Sequence, residues 1–501
     1  MSIHPPRPIP AFLVPRAPPR APDRTIETRL LAAAHSLCPP AYSCRSLKPR
    51  PLLAALAAAL VSLALFPYVW LSALMLWSAL LNIAYAFIRL SALKALRHPP
   101  LPAFLKPRDN PAPRITLLVP LFREENTLPR LIRSLKALDY PADRLEVFLL
   151  TEEIDATTAA ALARIPLPRH IRPLAVPRDW LQTKPKAMNY ALPHCTGEII
   201  GIYDAEDRPE PDQLRKIARA FATAPADVAC LQGQLDYYNA RRSWISRCFT
   251  IEYAAWFRVV MHGVQALGLP IPLGGTTLFF RRDILLEIGG WDAHNVTEDA
   301  DLGMRLARFG YRTGIIETTT WEEASHTPLR WVRQRSRWLK GFAMTWASHM
   351  RDPARLWRDL GPRGFSGFQA LLLSGLTGFL AAPLFWVLWA GFFGLPLLDL
   401  SPVPAPVTAL FVSGMTLGQL THWAVVIRAA RARRLLPHIL LLPFYWPLAT
   451  IAAYKAVTEL LFAPFYWDKT PHGDQPKENA ARPSAPIETS SVAPACTANG
   501  G

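Results

Sequence analysis

Two short acidic stretches, DAED at 204–207 and TEDAD at 297–301, stand out in a chain whose net charge is positive. Asp204 and Glu206 follow an apolar run, EIIGIY, that has the composition of a buried strand. Ligands bind at the carboxyl ends of such strands in α/β sheets. Two carboxylates there could hold a divalent cation, and the cation a diphosphate. A solvated turn, with Asp and Pro as turn formers, explains the same residues without a ligand.

The TEDAD stretch also has two explanations. Thr297 is a good N-cap for a helix over DADLGMRLARFG, and Glu298 and Asp299 suit the positive end of that helix. Alternatively, one of these carboxylates takes a proton from a reacting hydroxyl group. We interpret Asp301 as a structural acid. The residues alone leave both explanations open.

Basic stretches lie on both sides of the acids. In LQTKPKAMNYAL, Lys184 and Lys186 precede a helical run and could contact phosphate oxygens, although a solvated basic loop is the alternative. In RWVRQRSRWLKG, Gln334, Arg337 and Trp338 share one face of a helix. Arg337 could bind a phosphate or hydroxyl group, and Trp338 could stack on a sugar ring. The alternative is a basic amphipathic helix on a membrane surface.

The region from about 100 to 345 must position these residues. Strand-like runs such as ITLLV, EVFLL and EIIGIY alternate there with segments of helical periodicity. This alternation predicts an α/β fold with parallel strands.

Apolar segments flank that region. The run 52–94 has no charge before Arg89 and is too long for one spanning helix of about 20 residues. It is predicted to form two helices, roughly 52–69 and 71–92, joined near Pro67. One long tilted helix is the alternative.

Three further apolar runs follow, at 368–394, 405–427 and 435–463. The basic sequence RAARARR between the second and third places that loop in the cytoplasm. The last run could span the membrane or lie at its interface. We interpret His422, within the second run, as a helix-packing residue.

The composition excludes some classes of protein. The chain has 501 residues, with 55 Lys+Arg against 38 Asp+Glu and a net charge of +17. No zinc-finger, RRM or helix-turn-helix signature accompanies that charge, so no nucleic-acid partner is expected. The six cysteines are scattered without a CxxC pair, which argues against a disulfide framework or a zinc site.

Taken in order, these stretches resemble the family 2 glycosyltransferases of the membrane-embedded, cellulose-synthase-like kind, over about 100–470. VPLFREEN resembles the first-strand motif that binds uridine, with Glu124 at the matching acid and Arg123 where the family often has Asn. LLTEEID places Glu152 where the family usually has Asp. KAMN resembles the motif whose lysine, Lys186 here, lies near the diphosphate.

The later motifs extend the resemblance. DAE stands in the DxD position, with Glu206 for the second Asp and Asp207 as a fallback ligand. TED matches the motif whose aspartate, Asp299 here, is the general base, with Glu298 beside it. GGTT at 274–277 occupies the place of a loop that lines the acceptor site. QRSRW matches QxxRW, the motif that holds diphosphate and acceptor through Gln334, Arg337 and Trp338.

The resemblance implies a GT-A-type, Rossmann-like α/β catalytic domain in the cytosol, inserted between transmembrane helices of a bacterial inner membrane. It implies Mg²⁺ or Mn²⁺ on Asp204 and Glu206, and inverting transfer of a sugar from a nucleotide-sugar donor, with UDP expected. The acceptor is expected to be a growing β-glycan, with coupled export by partners that the sequence does not identify. Two alternatives are addition of one sugar to a lipid acceptor and a non-catalytic membrane scaffold of the same fold.

The predicted organisation has six parts. They are a basic, disordered tail (1–50), a transmembrane hairpin in contact with membrane lipids (51–94), the GT-A-like domain (95–345), an interfacial amphipathic helix (346–367), a transmembrane region of about three segments (368–467) and a disordered C-terminal tail (468–501).

Overall fold

The computed structural model describes residues 24–47, 49–97, 112–395 and 397–464. The predicted C-terminal tail lies outside the described residues, as does the beginning of the predicted N-terminal tail. The strands are β1 Ile115–Leu121, β2 Leu145–Glu152, β3 Ile171–Val176, β4 Ile199–Ile202, β5 Arg208–Pro209, β6 Val228–Tyr237, β7 Leu278–Arg281 and β8 Arg312–Glu322.

The helices begin and end as follows: α1 Arg24–Ser36, α2 Pro49–Leu65, α3 Pro67–Ala95, α4 Leu128–Lys136, α5 Ala156–Ala163, α6 Lys184–Ala191, α7 Gln213–Thr223, α8 Trp244–Ala255, α9 Met261–Ala266, α10 Arg282–Glu287, α11 Glu298–Arg308, α12 Pro328–His349, α13 Pro353–Phe392, α14 Ala405–Ala432 and α15 Leu442–Phe462. A π-helical turn, Trp256–Val260, joins α8 to α9.

The strands form one mixed sheet in the order β3-β2-β1-β4-β7-β6-β8-β5. The first four strands of this order run parallel, with Ile115 of β1 opposite both Leu145 and Ile199. Strand β7 then pairs antiparallel with β4 and β6. The apolar runs that suggested buried strands are buried, because helices cover both faces of the sheet. The predicted α/β class is confirmed.

The order of the parallel strands creates a crevice. From β1 the chain adds β2 and β3 on one side, and then returns to place β4 on the other side. Such a reversal opens a crevice at the carboxyl ends of the two central strands, which is where α/β sheets bind ligands. Glu124 follows β1 and Asp204 follows β4, so both acids lie at this crevice.

The predicted disordered N-terminal tail is wrong for residues 24–47. The segment 34–47, here called the N-terminal strap, contains the last residues of α1 and lies against the domain that carries the sheet. The Ser43 hydroxyl donates to Asp292 Oδ1 at 2.8 Å, and the Cys44 amide donates to Asp292 Oδ2 at 2.6 Å. Asn189 donates to the Ala34 carbonyl at 3.0 Å. Composition alone suggested solvation, but these long-range partners bury the strap.

Within the described chain, four helices are long and apolar enough to cross a membrane: Pro67–Ala95, Pro353–Leu388, Ala405–Ala432 and Leu436–Phe462. Helices α2 and α3 meet at Phe66, whose φ of −133° and ψ of 57° are not helical. The segment predicted as an interfacial helix contains the end of α12 and the start of α13, which Gly361 interrupts at a φ of 66°.

Helices α3 and α14 pack closely through two glycines. A Cβ atom at Gly418 would lie 2.3 Å from Asn82 Oδ1, and one at Gly414 would lie 3.0 Å from the Ala79 carbonyl oxygen. The two glycines are four residues apart, so both face α3 in the small-xxx-small arrangement of membrane helix pairs. This contact fixes one wall of the cavity described next.

Candidate active site

A single cavity of about 1050 Å³ occupies the crevice and continues between α3, α13, α14 and α15. All of the site residues predicted from the sequence line it, except Lys186. They are Glu124, Glu152, Asp204, Glu206, Glu298, Asp299, Gln334, Arg337 and Trp338. The chain therefore brings together residues that are up to 214 positions apart in the sequence, from Glu124 to Trp338.

The turn after β4 presents Asp204 and Glu206 to the cavity, and Asp207 holds that turn in place. Asp207 Oδ2 accepts the backbone N–H of Asp204 at 2.8 Å, and it also accepts the hydroxyl of Thr276. Burial raises the pKa of Asp207 well above its ordinary value, and the charges of Asp204 and Glu206 raise it further. Asp207 does not line the cavity, so its proposed role as a fallback metal ligand is corrected to a structural one.

Lys184 is the lysine that reaches the acids. Its Nζ lies 2.6 Å from Asp204 Oδ1 and 4.0 Å from Glu298 Oε1, and it donates to the Gly275 carbonyl at 2.7 Å. Burial lowers the pKa of Lys184, but Asp204 and Glu298 raise it by more, so the amine stays charged.

Lys186 occupies a different place from the one predicted. Its side chain is fully buried, and Nζ lies 3.0 Å from Glu152 Oε2. Thr183 caps α6 by accepting the Lys186 N–H, so the helix begins at Lys184 and directs the two lysines differently. The assignment of Lys186 to the diphosphate is therefore corrected, and Lys184 is the candidate for that contact.

The acids of TED begin α11, as the sequence predicted. Asp299 Oδ1 accepts the Ala300 N–H at 2.8 Å. Burial raises the pKa of Asp299 to about 6 and that of Glu298 to about 7, and Lys184 opposes both shifts. Thr297 is not a side-chain cap, because its side chain packs toward Gly341 of α12 instead. Thr297 precedes the helix without a capping hydrogen bond, but Glu298 and Asp299 lie in its first turn, so the favourable position of these acids at the positive helix end holds alongside the catalytic explanation.

Asp301 has a structural environment. It is fully buried, with Oδ2 2.8 Å from Arg305 Nε and Oδ1 2.9 Å from His349 Nε2. It does not line the cavity. The position agrees with its interpretation as a structural acid.

The QxxRW residues approach the acids from α12. Gln334 Oε1 accepts the Ser325 hydroxyl at 2.9 Å, which holds the amide at the cavity wall. Burial lowers the pKa of Arg337, and the charges of Glu298 and Asp204 partly offset that effect. The ring of Trp338 lies 6.0 Å from that of Tyr253, in an aromatic cluster beside the cavity.

Sequence reasoning missed Glu322, which ends β8 and lines the same cavity. Burial raises the pKa of Glu322 well above its ordinary value, and the charges of Asp207 and Glu206 raise it further. The sequence feature that could have indicated Glu322 is an acid at the end of a strand, as for Asp204, but Glu322 belongs to no recognised motif. Gly275 was expected in an acceptor loop, and a Cβ atom there would lie 3.5 Å from Asp299 Oδ2 and 3.9 Å from Asp204 Oδ2.

The part of the cavity between the apolar helices, here called the membrane-level section, carries a polar stripe. Along α3 the stripe consists of Ser78, Asn82, Tyr85 and Arg89, which recur at helical spacing on one face. Four further polar residues of α13 and α14 line the same section: Ser374, Thr377, Gln419 and His422. Three tryptophans of α13, α14 and α15 also line it: Trp386, Trp423 and Trp446. His422 was predicted to pack between helices, and it lies at this cavity.

The acidic end fits a divalent cation that substrate oxygens help to bind. Among the described residues, no group of three or more His, Cys, Asp or Glu side chains is arranged to hold a metal ion alone. Asp204 and Glu206 supply two carboxylates, and Mg²⁺ is commonly held by one or two carboxylates together with substrate phosphates. The carboxylates of Asp204, Glu206 and Asp299 outnumber the two cations Lys184 and Arg337 that line the same end, and this balance favours a bound cation.

Residues 199–427 match the family model described as "Glycosyl transferase family group 2". Over this range the chain is similar to that family, and its mixed sheet with the acidic crevice is the GT-A-like fold that the sequence predicted.

Two curated relatives have similar sequences. The chain is 29% identical over 293 residues to the beta-monoglucosyldiacylglycerol synthase of Synechocystis sp., which covers 56% of this chain and 58% of that protein. It is 26% identical over 252 residues to the cellulose synthase 1 catalytic subunit (UDP-forming) of Komagataeibacter xylinus, covering 49% and 33% respectively. The chain spans about half the length of the curated relatives that it matches first.

Among solved structures, the mannosyltransferase PcManGT of Pyrobaculum calidifontis, in complex with GDP-Man and Mn²⁺, is similar at 20% identity and a TM-score of 0.48. That similarity covers 77% of this chain and 99% of the other.

Proposed function

We propose that this protein is an inverting, metal-dependent glycosyltransferase that moves a hexose from a nucleotide sugar onto a glycan held within the membrane. The observation that carries the proposal is the single cavity, which connects the acidic end at Asp204 and Asp299 with the polar stripe of α3. Both substrates can therefore meet without leaving the protein. The basic loop after α14 favours a cytoplasmic catalytic domain in a bacterial inner membrane.

The donor binds at the carboxyl ends of β1, β2 and β4. Glu124 and Glu152 end or follow two of these strands and line the cavity, and the resemblance assigns both to the nucleoside. Asp204 and Glu206 would hold the cation, which when bound supplies positive charge that offsets the charge of the leaving diphosphate. Lys184 and Arg337, which line the same cavity, would contact the phosphate oxygens. A uridine nucleotide is our expectation, based on the resemblance.

Asp299 is the proposed base. A pKa of about 6 leaves its carboxylate mostly ionised near neutral pH, yet basic enough to accept a proton in the transition state. It takes the proton of the acceptor hydroxyl as that oxygen attacks the anomeric carbon from the face opposite the diphosphate. A single displacement of this kind inverts the anomeric configuration, so an α-linked donor gives a β-linked product. Glu298, beside it, stays partly protonated because its pKa is about 7.

The polar stripe favours a glycan as the acceptor. Ser78 and Arg89 are 11 residues apart, which corresponds to about 16 Å along a helix. Hydroxyl, amide and guanidinium groups within otherwise apolar helices are costly unless a polar partner satisfies them. Sugars present hydroxyl groups for such donors and apolar faces for tryptophans. Trp338, at the junction of the two parts, is the proposed platform for the terminal sugar.

A lipid acceptor is the second candidate. The membrane-level section also exposes aliphatic and aromatic side chains to the cavity, among them Leu81, Leu371, Phe385, Met415 and Val425. A relative of similar sequence is named as a synthase of a monoglucosylated diacylglycerol. In that case the product would carry one added sugar.

The test is nucleotide release by the purified protein in lipid nanodiscs, across UDP-, GDP- and dTDP-hexoses, with Mg²⁺ or Mn²⁺ and with EDTA. We expect metal-dependent release from one donor, and a product that lengthens with time. A single glycolipid would favour the second candidate. A folded protein that binds the donor and releases no nucleotide with any acceptor fraction would contradict the enzyme and favour a scaffold.

A further inference from the structure

A second, smaller cavity lies on the opposite side of the π-helical turn from the proposed active site. Its volume is about 400 Å³, and it is a groove between that turn and the last two turns of α14. Arg258 comes from the π-helical turn, and Arg428 and Arg431 come from α14. The remaining lining residues are Val259, Ala424, Ile427, Ala429 and Ala432. No acid lines the groove, so three guanidinium groups share an otherwise apolar surface.

The charge around this groove is not balanced. Asp236 Oδ2 lies 2.9 Å from Arg258 Nη2 and 3.1 Å from Arg433 Nε, so one carboxylate is shared by two arginines. Arg428 and Arg431 extend the same surface. Four arginines against one aspartate leave an excess of three positive charges. An unbalanced cluster of positive charge attracts anions.

The position of the groove identifies the kind of anion. Helix α14 is one of the four candidate membrane spans, and Arg428 and Arg431 lie within its last two turns. That end of α14 contacts the catalytic domain through Asp236 of β6. It is therefore at the level where phospholipid headgroups meet the protein. The small apolar side chains lower in the groove, such as Ala424 and Ile427, suit the start of an acyl chain.

We propose that this groove binds the headgroup phosphate of an anionic phospholipid. Arginine forms paired hydrogen bonds with phosphate oxygens, and basic grooves at the ends of membrane helices are suited to lipid headgroups. The site is separate from the donor and acceptor sites, and it does not depend on the proposed reaction. Because Trp256, Phe257 and Val260 of the same π-helical turn line the main cavity, an occupied groove also braces the wall of the acceptor site.

The experiment measures binding of dioleoyl-phosphatidylglycerol to the full-length protein by native mass spectrometry and by its thermal unfolding midpoint in detergent. Dioleoyl-phosphatidylcholine and inorganic phosphate are the comparison ligands. The test variant is Arg428→Ala with Arg431→Ala. The matched control is Arg358→Ala with Arg363→Ala, two exposed arginines of α13 that do not line the groove.

We expect phosphatidylglycerol, but neither comparison ligand, to bind and to raise the unfolding midpoint of the unmodified protein and of the control. In the test variant the affinity should fall about thirtyfold, because each interfacial cation contributes about fivefold. An equal loss of phosphatidylglycerol affinity in the test and control variants would mean that general surface charge causes the binding, and it would contradict the proposed site. Binding unchanged in the test variant would also overturn it, and an equal response to inorganic phosphate would exclude a lipid site.

Discussion

Replacing Asp299 by Asn should abolish the chemistry and, at the same time, stabilise the fold. An amide cannot take the acceptor proton, so turnover should fall by about 10²- to 10⁴-fold. Donor affinity should change little, because the base acts only in the transition state. A gain in stability accompanies this loss because the carboxylate is buried among other acids.

The sign and size of the gain follow from the pKa of Asp299. Burial raises it from 3.8 to about 6, so the folded chain binds this proton more tightly than the unfolded chain. The favourable contribution is complete below about pH 4 and is lost as the pH rises through 6. A difference of this size corresponds to about 3 kcal/mol. Partial exposure of the side chain reduces the expected gain of the Asn variant to about 1–2 kcal/mol at pH 8.

The assay compares thermal unfolding at pH 8 and pH 4 in EDTA with nucleotide release at pH 8 in the presence of metal. The gain in stability should be present at pH 8 and nearly absent at pH 4. Asp301→Asn is the control, and it should destabilise the fold because it leaves Arg305 without its buried partner. Retained turnover in Asp299→Asn, or lower stability at pH 8, would refute the assignment.

Three further tests probe the geometry. Lys184→Met should weaken donor binding in a protein that still folds. Lys186→Met should instead lower the free energy of unfolding by about 3–5 kcal/mol, because it leaves the buried carboxylate of Glu152 unpaired. Equal donor affinities for both variants would contradict the assignment of Lys184, and not Lys186, to the diphosphate. Gly418→Ala should destabilise the packing of α3 against α14 by about 1–3 kcal/mol through overpacking. Gly391→Ala should not, because Gly391 has open space around it. Thermal unfolding of the two variants measures the difference. Gly275→Ala should keep the fold and raise the KM for the donor, because the added methyl group would occupy space beside the carboxylates of Asp299 and Asp204. An unchanged KM would place the donor elsewhere.

The sequence was sufficient where a residue's role depends on its own segment. Asp204 and Glu206 end an apolar run, and the end of a parallel strand in this fold class lies at the ligand crevice. Gln334, Arg337 and Trp338 share a helix face by spacing alone. Local periodicity and strand order placed these residues on their elements, and the family resemblance then predicted that they share one site.

The sequence was not sufficient where a role depends on the start of a helix. Lys184 and Lys186 are two residues apart, so they point in different directions from α6. Which one faces the cavity depends on the helix beginning at Lys184 with Thr183 as its cap. The motif resemblance selected Lys186, but a shift of two residues in that boundary, about half a helical turn, reverses the roles. Glu322 was missed because the strand that carries it has no motif.

The N-terminal region was misjudged for a different reason. Its Pro- and Arg-rich composition is typical of a solvated chain. Its burial depends on the carboxylate of Asp292, a partner that lies 249 residues after Ser43. A composition pattern contains no information about a partner so far along the chain.

The separation of 249 residues between Ser43 and Asp292 affects the order in which the nascent chain can fold. Ribosomes add about 5–20 residues per second, so the strap emerges roughly 12–50 s before the aspartate that secures it. During this interval at least one membrane-compatible helix, α3, must find its place. The strap is thus synthesised well before it can dock, and the aspartate that it binds lies just ahead of α11, the helix whose first turn carries Asp299. A nascent chain whose strap bound elsewhere would complete its sheet and leave the loop before α11 without that contact.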